Sequence, residues 1–593
     1  MSRLEKEKSA YLQHAAHQKI DWHPWSEEAF ERAKKEDKPV FLSSGAIWCH
    51  WCHVMAKESF EDEETASLLN EYFIAVKIDR DERPDIDRRY QRALLVMGVS
   101  GGWPLSIFLT FDKKPFFGGT YFPPDEAFGR PGFKSLLKAI GTMYQEKKES
   151  VNENSQEILH HMKQEKLVPG NLNVSMLDEA IKNILSDFDP IHGGFGSAPK
   201  FFMPGAMEFL MGRYSDGKDS ALENTIKKTL ISMARGGIYD QLGGGFHRYS
   251  TDEAWIIPHF EKMADDNAWL LRNYVQAYRL FGDELFKETS EGIIDFLLNE
   301  LSNPDGGFYS SQDADVTHDD EGGYFIWKND DFKRILNVDE YEVLSPYLLH
   351  ENGAMRHDPL KKVLYITEGI EEITQKAGMN IEKASKIIDT GKTKLLMERV
   401  KREKPFVDMA LYTSINGMLI SAFFEAYKVF NDEEIKEVAL KSLEKILKVN
   451  FINKQLFHAE GVVAILDDYA NLIGALIGAY EATGDVIHLN RADECMKICI
   501  DKFWDSKEGG FFDTEEDIIG TRLKEVGDAP HPSANSVNIM NFIKLSHMSG
   551  NEEYLKYAEK ALKCFSLAAQ PMGIHGGYYY YVLDAFFDEG KGE

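Results

Sequence analysis

The chain has 593 residues, and 97 acidic against 68 basic residues leave a formal net charge of −29. Its length calls for at least two domains, and its ordinary hydrophobic content of 43% excludes extended disorder, collagen-like repeats and a disulfide scaffold. Because nucleic acids and anionic membranes select basic surfaces, the acidic balance argues against both as partners.

The cellular location is predicted from the N-terminus, the apolar segments and the cysteines. The first ten residues, MSRLEKEKSA, lack the apolar core of a signal peptide. Residues 93–111 carry no charge, but the sequence Gly101-Gly102-Trp103-Pro104 would interrupt a membrane-spanning helix. The five cysteines are too few and too unevenly spaced for a secreted framework. We therefore predict a cytoplasmic protein without a membrane segment.

The first part of the chain, residues 1–167, alternates short apolar runs with helical stretches, which is typical of an α/β domain. The charged run at residues 79–92 is interpreted as a solvated face with internal ion pairs. The sequence Val168-Pro169-Gly170-Asn171 marks a break after the domain. Strands are predicted at residues 39–43, 73–78, 105–109 and 115–117, and helices at residues 51–60 and 85–97.

A cysteine motif, Trp48-Cys49-His50-Trp51-Cys52-His53, follows the first predicted strand and opens a helix. In this context a Cys-x-x-Cys pair indicates thioredoxin-like redox chemistry. Unpaired backbone N–H groups and the helix dipole would stabilise a thiolate at Cys49, so we predict that Cys49 attacks and that Cys52 resolves. A protonated His50 would stabilise the same thiolate further.

Two other interpretations of this motif stay open. Cys49, Cys52 and their neighbouring histidines offer zinc ligands, although no second ligand pair stands at zinc spacing. A purely structural pair of cysteines is the other alternative. We predict no metal ion and no cofactor. Three further cysteines, Cys495, Cys499 and Cys564, are predicted to be core residues.

The second part of the chain, residues 174–593, has helical periodicity almost throughout and contains a repeat. Each copy starts at an Asx residue, continues with an apolar face and stops at Gly or Asn. Helix pairs that repeat roughly every 50–70 residues predict a solenoid or a closed ring with the polar helix starts at one mouth. Residues 330–402 fit the repeat poorly and are predicted to be an insertion. A Gly-Gly-aromatic element recurs at Gly193-Gly194-Phe195, Gly244-Gly245-Phe246, Gly306-Gly307-Phe308, Gly322-Gly323-Tyr324, Gly509-Gly510-Phe511 and Gly576-Gly577-Tyr578.

Long motifs with unusual residue combinations stand in both parts of the chain. They include Asp21-Trp22-His23-Pro24-Trp25, Cys49-His50-Trp51-Cys52-His53, Lys77-Ile78-Asp79-Arg80-Asp81, Gly101-Gly102-Trp103-Pro104, Gly119-Thr120-Tyr121-Phe122-Pro123, His247-Arg248-Tyr249-Ser250, Pro258-His259-Phe260-Glu261 and Gln312-Asp313-Ala314-Asp315. These motifs resemble the spermatogenesis-associated, thioredoxin-domain protein family, and the resemblance covers nearly the whole chain. Two residues depart from the family pattern: Trp48 replaces a small residue, and Ile415 replaces a Trp before Asn-Gly.

This resemblance implies a multi-domain fold, with an α/β thioredoxin-like domain followed by an all-α (α/α)6 toroid. Toroids of this kind occur in N-acylglucosamine 2-epimerases and in six-hairpin glycosidases. The resemblance also implies that Trp103 and Pro104 form a substrate-contacting cis-proline element beside the cysteines. In the toroid it implies a concave mouth in which aromatic rings and carboxylates bind a sugar.

The predicted mouth contains candidates for two kinds of sugar chemistry. Epimerisation beside a carbonyl needs an acid and a base, for which we predict His247 and His259, with Arg248 positioning an oxyanion. Hydrolysis needs two carboxylates, such as Asp252 with Glu261 or Asp313 with Asp468. Helix capping alone explains Asp at helix starts, and it is the favoured interpretation for Asp265, Asp266, Asp467 and Asp468. The predicted ligand-binding residues are Asp240, Arg248, Tyr249, Asp252, Trp255, Asp266, Asn267, Asp313, Asp315, Asn416, Asp468 and Asn535.

Three functional hypotheses follow from these features. The first is an enzyme that combines a thiol–disulfide centre with a sugar-active mouth. The second is a binding or quality-control module, in which the ring holds a glycan or a protein and the cysteines act on it. The third is a scaffold in which both sites are degenerate. The expected partners are a sugar or glycan and a protein that carries a dithiol or a disulfide.

Overall fold

The computed structural model describes residues 2–127, 129, 131–163, 167–317 and 320–589. The chain divides into two compact units. The first consists of Met1–Leu167, Gly461–Ile465 and Phe512–Leu523, and the second of Val168–Glu460, Leu466–Phe511 and Lys524–Glu593. Among the described helices, none is both long enough and apolar enough to cross a membrane.

In its described residues the first unit is built on a four-stranded sheet with the strand order β2-β1-β3-β4. β1 runs parallel to β2 and antiparallel to β3, and β3 pairs antiparallel with β4. The four predicted strands are confirmed. Their near-continuous apolar runs are typical of strands that are covered on both faces. The strands are β1 (Val40–Gly45), β2 (Ile74–Asp79), β3 (Leu105–Leu109) and β4 (Pro115–Gly119).

Helices flank this sheet and complete the predicted α/β domain. One buried cluster joins β1 to α5 and α7 through apolar side chains such as Val40, Ile86 and Ile158. After α3 the chain continues into a π-helical turn, Ala56–Phe60. The helices are α1 (Ala10–His14), α2 (Glu27–Glu36), α3 (His50–Met55), α4 (Glu63–Tyr72), α5 (Pro84–Val96), α6 (Phe133–Glu146) and α7 (Lys148–Lys163).

The second unit is mainly helical. Its helices are α8 (Ser175–Ser186), α9 (Pro204–Gly217), α10 (Ser220–Arg235), α11 (Ala264–Phe281), α12 (Glu284–Glu300), α13 (Asn329–Ile335), α14 (Val338–Leu348), α15 (Ile370–Ala377), α16 (Ile381–Arg399), α17 (Thr413–Phe430), α18 (Glu433–Asn450), α19 (Leu466–Thr483), α20 (Val486–Phe503), α21 (Ala534–Ser549), α22 (Glu553–Ala569) and α23 (Gly577–Glu589).

Within the described residues, six of these helices form a closed inner ring. α9, α11, α17, α19, α21 and α23 each contact the next, and α23 contacts α9. An outer layer covers the ring, because α10, α12, α18, α20, α22 and α8 contact α9, α11, α17, α19, α21 and α23 respectively. Alternating inner and outer helices define an (α/α)6 toroid, so the predicted combination of an α/β domain with a helical toroid is confirmed.

Four helices between α12 and α17 lie outside the alternation of the toroid. α13, α14, α15 and α16 pack on one another around a separate apolar cluster that includes Phe332, Val343, Leu344, Ile388 and Leu395. They fall within the segment that the sequence interprets as an insertion.

Short strands stand in the loops: β5 (Tyr249–Ser250), β6 (Pro258–His259), β7 (Lys262–Met263), β8 (Ser311–Gln312), β9 (Trp327–Lys328), β10 (Lys361–Lys362), β11 (Val407–Asp408), β12 (Phe451–Ile452), β13 (Gln455–Ala459) and β14 (Val462–Val463).

Candidate functional site

Cys49 and Cys52 form a disulfide at the start of α3, with their Cα atoms 5.2 Å apart. β1 ends at Gly45, and a short turn brings Cys49 to the N-cap position of α3. The Cys49 sulfur accepts a hydrogen bond from the Cys52 backbone N–H at 3.2 Å. A thiolate formed here on reduction would be stabilised by that N–H and by the helix dipole. Because the two sulfurs share a bond, neither is a free zinc ligand in this state.

Aromatic side chains surround the disulfide. Trp51 is 44% exposed, and its ring packs against that of Tyr121. The rings of Trp48 and Trp103 meet edge to face at 6.0 Å. The peptide bond between Trp103 and Pro104 is cis, as the resemblance implies.

Two buried carboxylates hold the tryptophans in place. Asp87 accepts hydrogen bonds from the Trp103 indole N–H at 3.0 Å and from the Ser44 hydroxyl at 2.6 Å. Asp81 accepts one from the Trp48 indole N–H at 2.6 Å. Burial raises the pKa of Asp87. The interpretation of residues 79–92 as a solvated charged face is therefore wrong, because several of these charges are buried and two of them bind the indole N–H groups of Trp48 and Trp103.

A buried lysine stands close to the disulfide. A Cβ atom at Gly45 would collide with the Tyr11 hydroxyl and come within 2.7 Å of the Cys52 sulfur, so both groups border the same glycine. The Lys77 ammonium contacts the Tyr11 hydroxyl at 3.0 Å. Burial lowers the pKa of Lys77 to about 7, partly offset by the Asp79 carboxylate. Sequence analysis missed Tyr11 and Lys77; a lone Lys inside an apolar strand was the available signal.

In the toroid, Asp240 belongs to a loop that recurs around the ring. Its carboxylate accepts hydrogen bonds from two backbone N–H groups of its own loop and forms ion pairs with Lys262 at 2.8 Å and Arg399 at 2.7 Å. These contacts occupy both oxygens and indicate a structural role. The same carboxylate–lysine pair recurs beside two other Gly-Gly-Phe elements as Asp189–Lys200 and Asp505–Lys524.

Three asparagines of the predicted mouth each bind the backbone of a Gly-Gly-Phe turn through the side-chain amide. Asn267 accepts a hydrogen bond from the backbone N–H of Phe246 at 2.7 Å and donates one to its carbonyl at 3.0 Å. The contacts of Asn416 with Phe308 and of Asn535 with Phe511 have the same distances. Each amide thus fixes a Gly-Gly-Phe turn, and these contacts support a structural role rather than ligand binding.

Four other predicted mouth residues are also held by internal contacts. The Asp252 carboxylate accepts three backbone N–H bonds in its own turn, the closest at 2.6 Å. Trp255 is fully buried, and its indole N–H donates to the Gly193 carbonyl. His247 is buried with Nδ1 2.8 Å from the Phe260 carbonyl. Burial and the Lys262 charge lower the pKa of His247 to about 3. Asp468 is buried against His458 at 2.8 Å.

Two further carboxylates of the predicted mouth, Asp313 and Asp315, are buried in the loop after β8. The Asp313 backbone N–H donates to the Phe406 carbonyl at 2.8 Å. The Asp315 N–H donates to the Asp313 carboxylate at 3.4 Å. Their predicted role in ligand binding stays a prediction.

One group of predicted residues does come together on β5, β6 and the segment after them. Tyr249 pairs with His259 across β5 and β6, and their rings lie 4.6 Å apart. His259 contacts Glu321 at 2.9 Å, and the nearby carboxylates raise its pKa. Glu261 is buried, and among the described residues its Oε2 has no hydrogen-bond partner. Burial raises the pKa of Glu261.

A neighbouring carboxylate pair at the start of α11 contacts a histidine that sequence analysis missed. His531 Nε2 lies 2.6 Å from Asp266, which also faces Arg248 at 3.4 Å. The carboxylates of Asp265 and Asp266 raise the pKa of His531. Ligand atoms of Asp265, Asp266 and His531 lie within 4.8 Å of one another, which is the closest approach to a metal site among the described residues. The proline on either side of His531 was the only sequence signal.

The chain is similar to several known proteins. Residues 1–163 match the Thioredox_DsbH family, described as a protein of unknown function, DUF255. Rat spermatogenesis-associated protein 20 is 34% identical over 95% of this chain and 78% of its own length. A GH76 alpha-mannanase from Bacteroides thetaiotaomicron is similar with a TM-score of 0.45 at 13% identity, covering 71% of this chain and 98% of its own. A D-mannose isomerase is similar with a TM-score of 0.45 at 10% identity, covering 71% and 97%.

Proposed function

The chain belongs to the spermatogenesis-associated protein 20 family, and for this member we propose a thiol–disulfide oxidoreductase whose reactive pair is Cys49 and Cys52. The observation that carries the proposal is the position of Cys49. Its sulfur caps α3, accepts the Cys52 N–H at 3.2 Å and shares a disulfide with Cys52. A cysteine in this position is activated as a nucleophile, whereas a cysteine in an apolar core is not.

The proposed reaction is a two-step exchange. In the reduced protein the Cys49 thiolate attacks one sulfur of a substrate disulfide, the substrate S–S bond breaks, and the other sulfur leaves as a thiolate that takes a proton from water. Cys52 then loses its proton and attacks the Cys49 sulfur, releasing the first substrate sulfur. The substrate gains two electrons and the protein loses two as the Cys49–Cys52 bond forms. A dithiol on a second protein restores the reduced pair by the reverse exchange.

Lys77 is the proposed acceptor of the Cys52 proton. The Tyr11 hydroxyl borders Gly45 together with the Cys52 sulfur and contacts Lys77 at 3.0 Å. A neutral Lys77 amine takes the hydroxyl proton while the hydroxyl takes the thiol proton. Because burial brings the pKa of Lys77 to about 7, a large share of the amine is neutral near neutral pH.

Lys77→Met is expected to slow the second step about 100-fold at pH 7, since a positioned base contributes about 10²–10⁴-fold. In wild type the rate of this step rises with pH through about 7. In the variant the rise moves to higher pH, where Cys52 ionises unaided. Stopped-flow measurement of mixed-disulfide resolution between pH 5 and 9 tests this. Lys138→Met, at an exposed lysine, is the control. An unchanged pH profile in Lys77→Met would refute the assignment.

Stability gives an independent readout of the same lysine. The folded state depresses the pKa of Lys77 to about 7, while the unfolded chain keeps the ordinary lysine value. Between these values the unfolded chain binds more protons, so the Lys77 contribution to the free energy of unfolding grows as pH rises above 7. Lys77→Met removes that increase, which urea unfolding at pH 7 and pH 9 measures.

A second candidate function is acid–base chemistry on a sugar at the group formed by Tyr249, His259 and Glu261. The supporting observation is the buried Glu261 Oε2, which lacks a hydrogen-bond donor among the described residues. A ligand hydroxyl would supply that donor. The pKa values of Glu261 and His259 are both raised. Each group can therefore hold a proton at a higher pH than usual, as a general acid near neutral pH must.

Incubation of the protein with monosaccharides in D₂O tests this second function. Proton NMR is expected to show deuterium entering the carbon beside the sugar carbonyl. Glu261→Gln keeps the side-chain volume but removes the acid, and is expected to reduce exchange at least about 100-fold. Glu253→Gln, on an exposed side chain of the same segment, serves as the control. Exchange that is absent in wild type, or equal in Glu261→Gln, would exclude this role.

A further inference from the structure

The centre of the ring contains a cavity of about 290 Å³ that none of the functions above uses. All six inner helices contribute to its wall, through residues spaced three or four apart on their inward faces. Several of these residues are charged although they stand in otherwise apolar helices. They are Glu208 on α9, Arg272 and Arg279 on α11, Glu425 and Lys428 on α17, Glu481 on α19 and Lys544 on α21.

Most of the charges in the cavity are paired within the protein. Lys428 contacts Glu425 at 2.9 Å and Glu481 at 2.5 Å, and Lys544 contacts Glu481 at 3.4 Å. The cationic neighbours Lys544, Lys428 and Arg272 lower the pKa of Glu425 to about 2, so it is ionised. These four charges form a chain of contacts that balances itself without a ligand.

Arg272 is the exception. Its guanidinium lies 4.7 Å from the centre of the Trp269 ring, and its Nε is buried without a hydrogen-bond partner among the described residues. No carboxylate of the described residues stands within ion-pair distance of it, although Glu208 and Glu425 act on it from farther away. Because no carboxylate of the described residues contacts the guanidinium, its N–H groups are available to an anionic ligand group.

Groups next to Arg272 are suited to the rest of such a ligand. The Trp269 indole N–H is buried and has no acceptor among the described residues, and Trp269 itself is only 3% exposed. Tyr578 packs edge to face against the Trp269 ring at 5.3 Å. Glu208 receives one hydrogen bond, from Asn273 at 2.8 Å, and burial raises its pKa. The wall thus combines a guanidinium that no carboxylate contacts directly, aromatic faces and acceptors for hydroxyl protons.

We propose that this axial cavity binds a small hydroxylated carboxylic acid of the sugar-acid class. Arg272 takes the carboxylate through its paired N–H groups, and Trp269 and Tyr578 cover the apolar face of the ligand. Glu208 and Ser421 accept and donate hydrogen bonds to its hydroxyls. A carboxylate can accept the paired N–H groups of Arg272, whereas a phosphate dianion would be repelled more strongly than a monoanion by the ionised Glu425. The cavity volume suits a ligand of about monosaccharide size.

Calorimetric titration of the full chain with D-glucuronate, D-glucose, acetate and inorganic phosphate tests the proposal. Glucuronate is expected to bind at least about tenfold more tightly than each of the other three, since a charge-assisted hydrogen bond contributes about a factor of 10–100. Glucose lacks the carboxylate and acetate lacks the hydroxyls. The proposal is overturned if glucose, acetate or phosphate binds as tightly as glucuronate. It is also overturned if about 1 mM protein shows no binding of glucuronate at a 10-fold molar excess of the ligand.

Two variants locate the binding. Arg272→Met is expected to lose the preference for glucuronate over glucose, while Arg491→Met, at an exposed arginine of the outer helix α20, retains it. Trp269→Phe removes the indole N–H, which has no acceptor among the described residues, and makes the ring smaller while it stays aromatic, so it provides a second test if Arg272→Met misfolds. It is expected to weaken glucuronate binding several-fold. Wild-type affinity in Trp269→Phe, or an unchanged preference in a folded Arg272→Met, contradicts the assignment.

Discussion

Replacing Cys49 by serine is expected to abolish the reduction of insulin disulfides by this protein, with a loss of at least about 1,000-fold. Serine cannot form the mixed disulfide, and its hydroxyl remains protonated at the start of α3, where the cysteine would ionise. The turbidity of reduced insulin, with dithiothreitol as the electron source, follows the reaction. The effect is large because the variant removes the attacking atom itself.

Two further variants separate this result from a loss of structure. Cys52→Ser keeps the attacking thiol but lacks the resolving one, so it is expected to accumulate a mixed disulfide that mass spectrometry detects after non-reducing preparation. Cys495→Ser alters a buried cysteine of α20 and should retain wild-type activity. If Cys49→Ser remains active, or if Cys52→Ser traps nothing, the proposed order of attack is incorrect.

Arg89→Met is expected to lower the free energy of unfolding of the first unit by about 3–5 kcal/mol, the cost of stranding a buried charge. Arg89 is fully buried and binds both carboxylate oxygens of Asp513, at 2.9 and 3.1 Å. It also donates to the Thr514 hydroxyl at 2.8 Å. These contacts attach residues 512–523 to α5. Without the guanidinium, the Asp513 carboxylate stays buried and uncompensated.

Urea unfolding followed by near-ultraviolet circular dichroism measures this loss. The double variant Arg89→Met with Asp513→Asn is expected to recover part of it, because the stranded charge is removed. Arg491→Met, which breaks a largely exposed ion pair and a contact with the Phe451 ring, should change stability by less than about 1 kcal/mol. If Arg89→Met lowers the free energy of unfolding by as little as Arg491→Met does, the Arg89–Asp513 pair contributes little to stability.

Elements with a strong apolar pattern could be predicted closely from the sequence. The run at residues 105–109 coincides with β3, and the Cys-x-x-Cys motif occupies the predicted junction of strand and helix. The three remaining cysteines are buried, as predicted for core residues. In these cases one local signal, such as strand-like hydrophobicity or a helix start, decides the structure.

The charged residues were harder to interpret, because burial depends on partners far away in the sequence. Arg89 and Asp87 look like members of a solvated run, yet Arg89 is buried by Asp513, more than 400 residues later. Asn267 has the residue type of a ligand-binding side chain, but a Gly-Gly-Phe turn uses both of its amide atoms. Arg272 lies in an apolar helix and shows its unusual surroundings only when the ring closes.

The measurement that tests the redox proposal most directly is the equilibrium oxidation of the Cys49–Cys52 pair. The wild-type protein is incubated in dithiothreitol and glutathione buffers of graded potential, and the free thiols are alkylated and counted by mass spectrometry. The account predicts a single two-electron transition with a midpoint between about −270 and −120 mV, the range of proteins that exchange disulfides. A pair that stays fully oxidised or fully reduced across this range would contradict it.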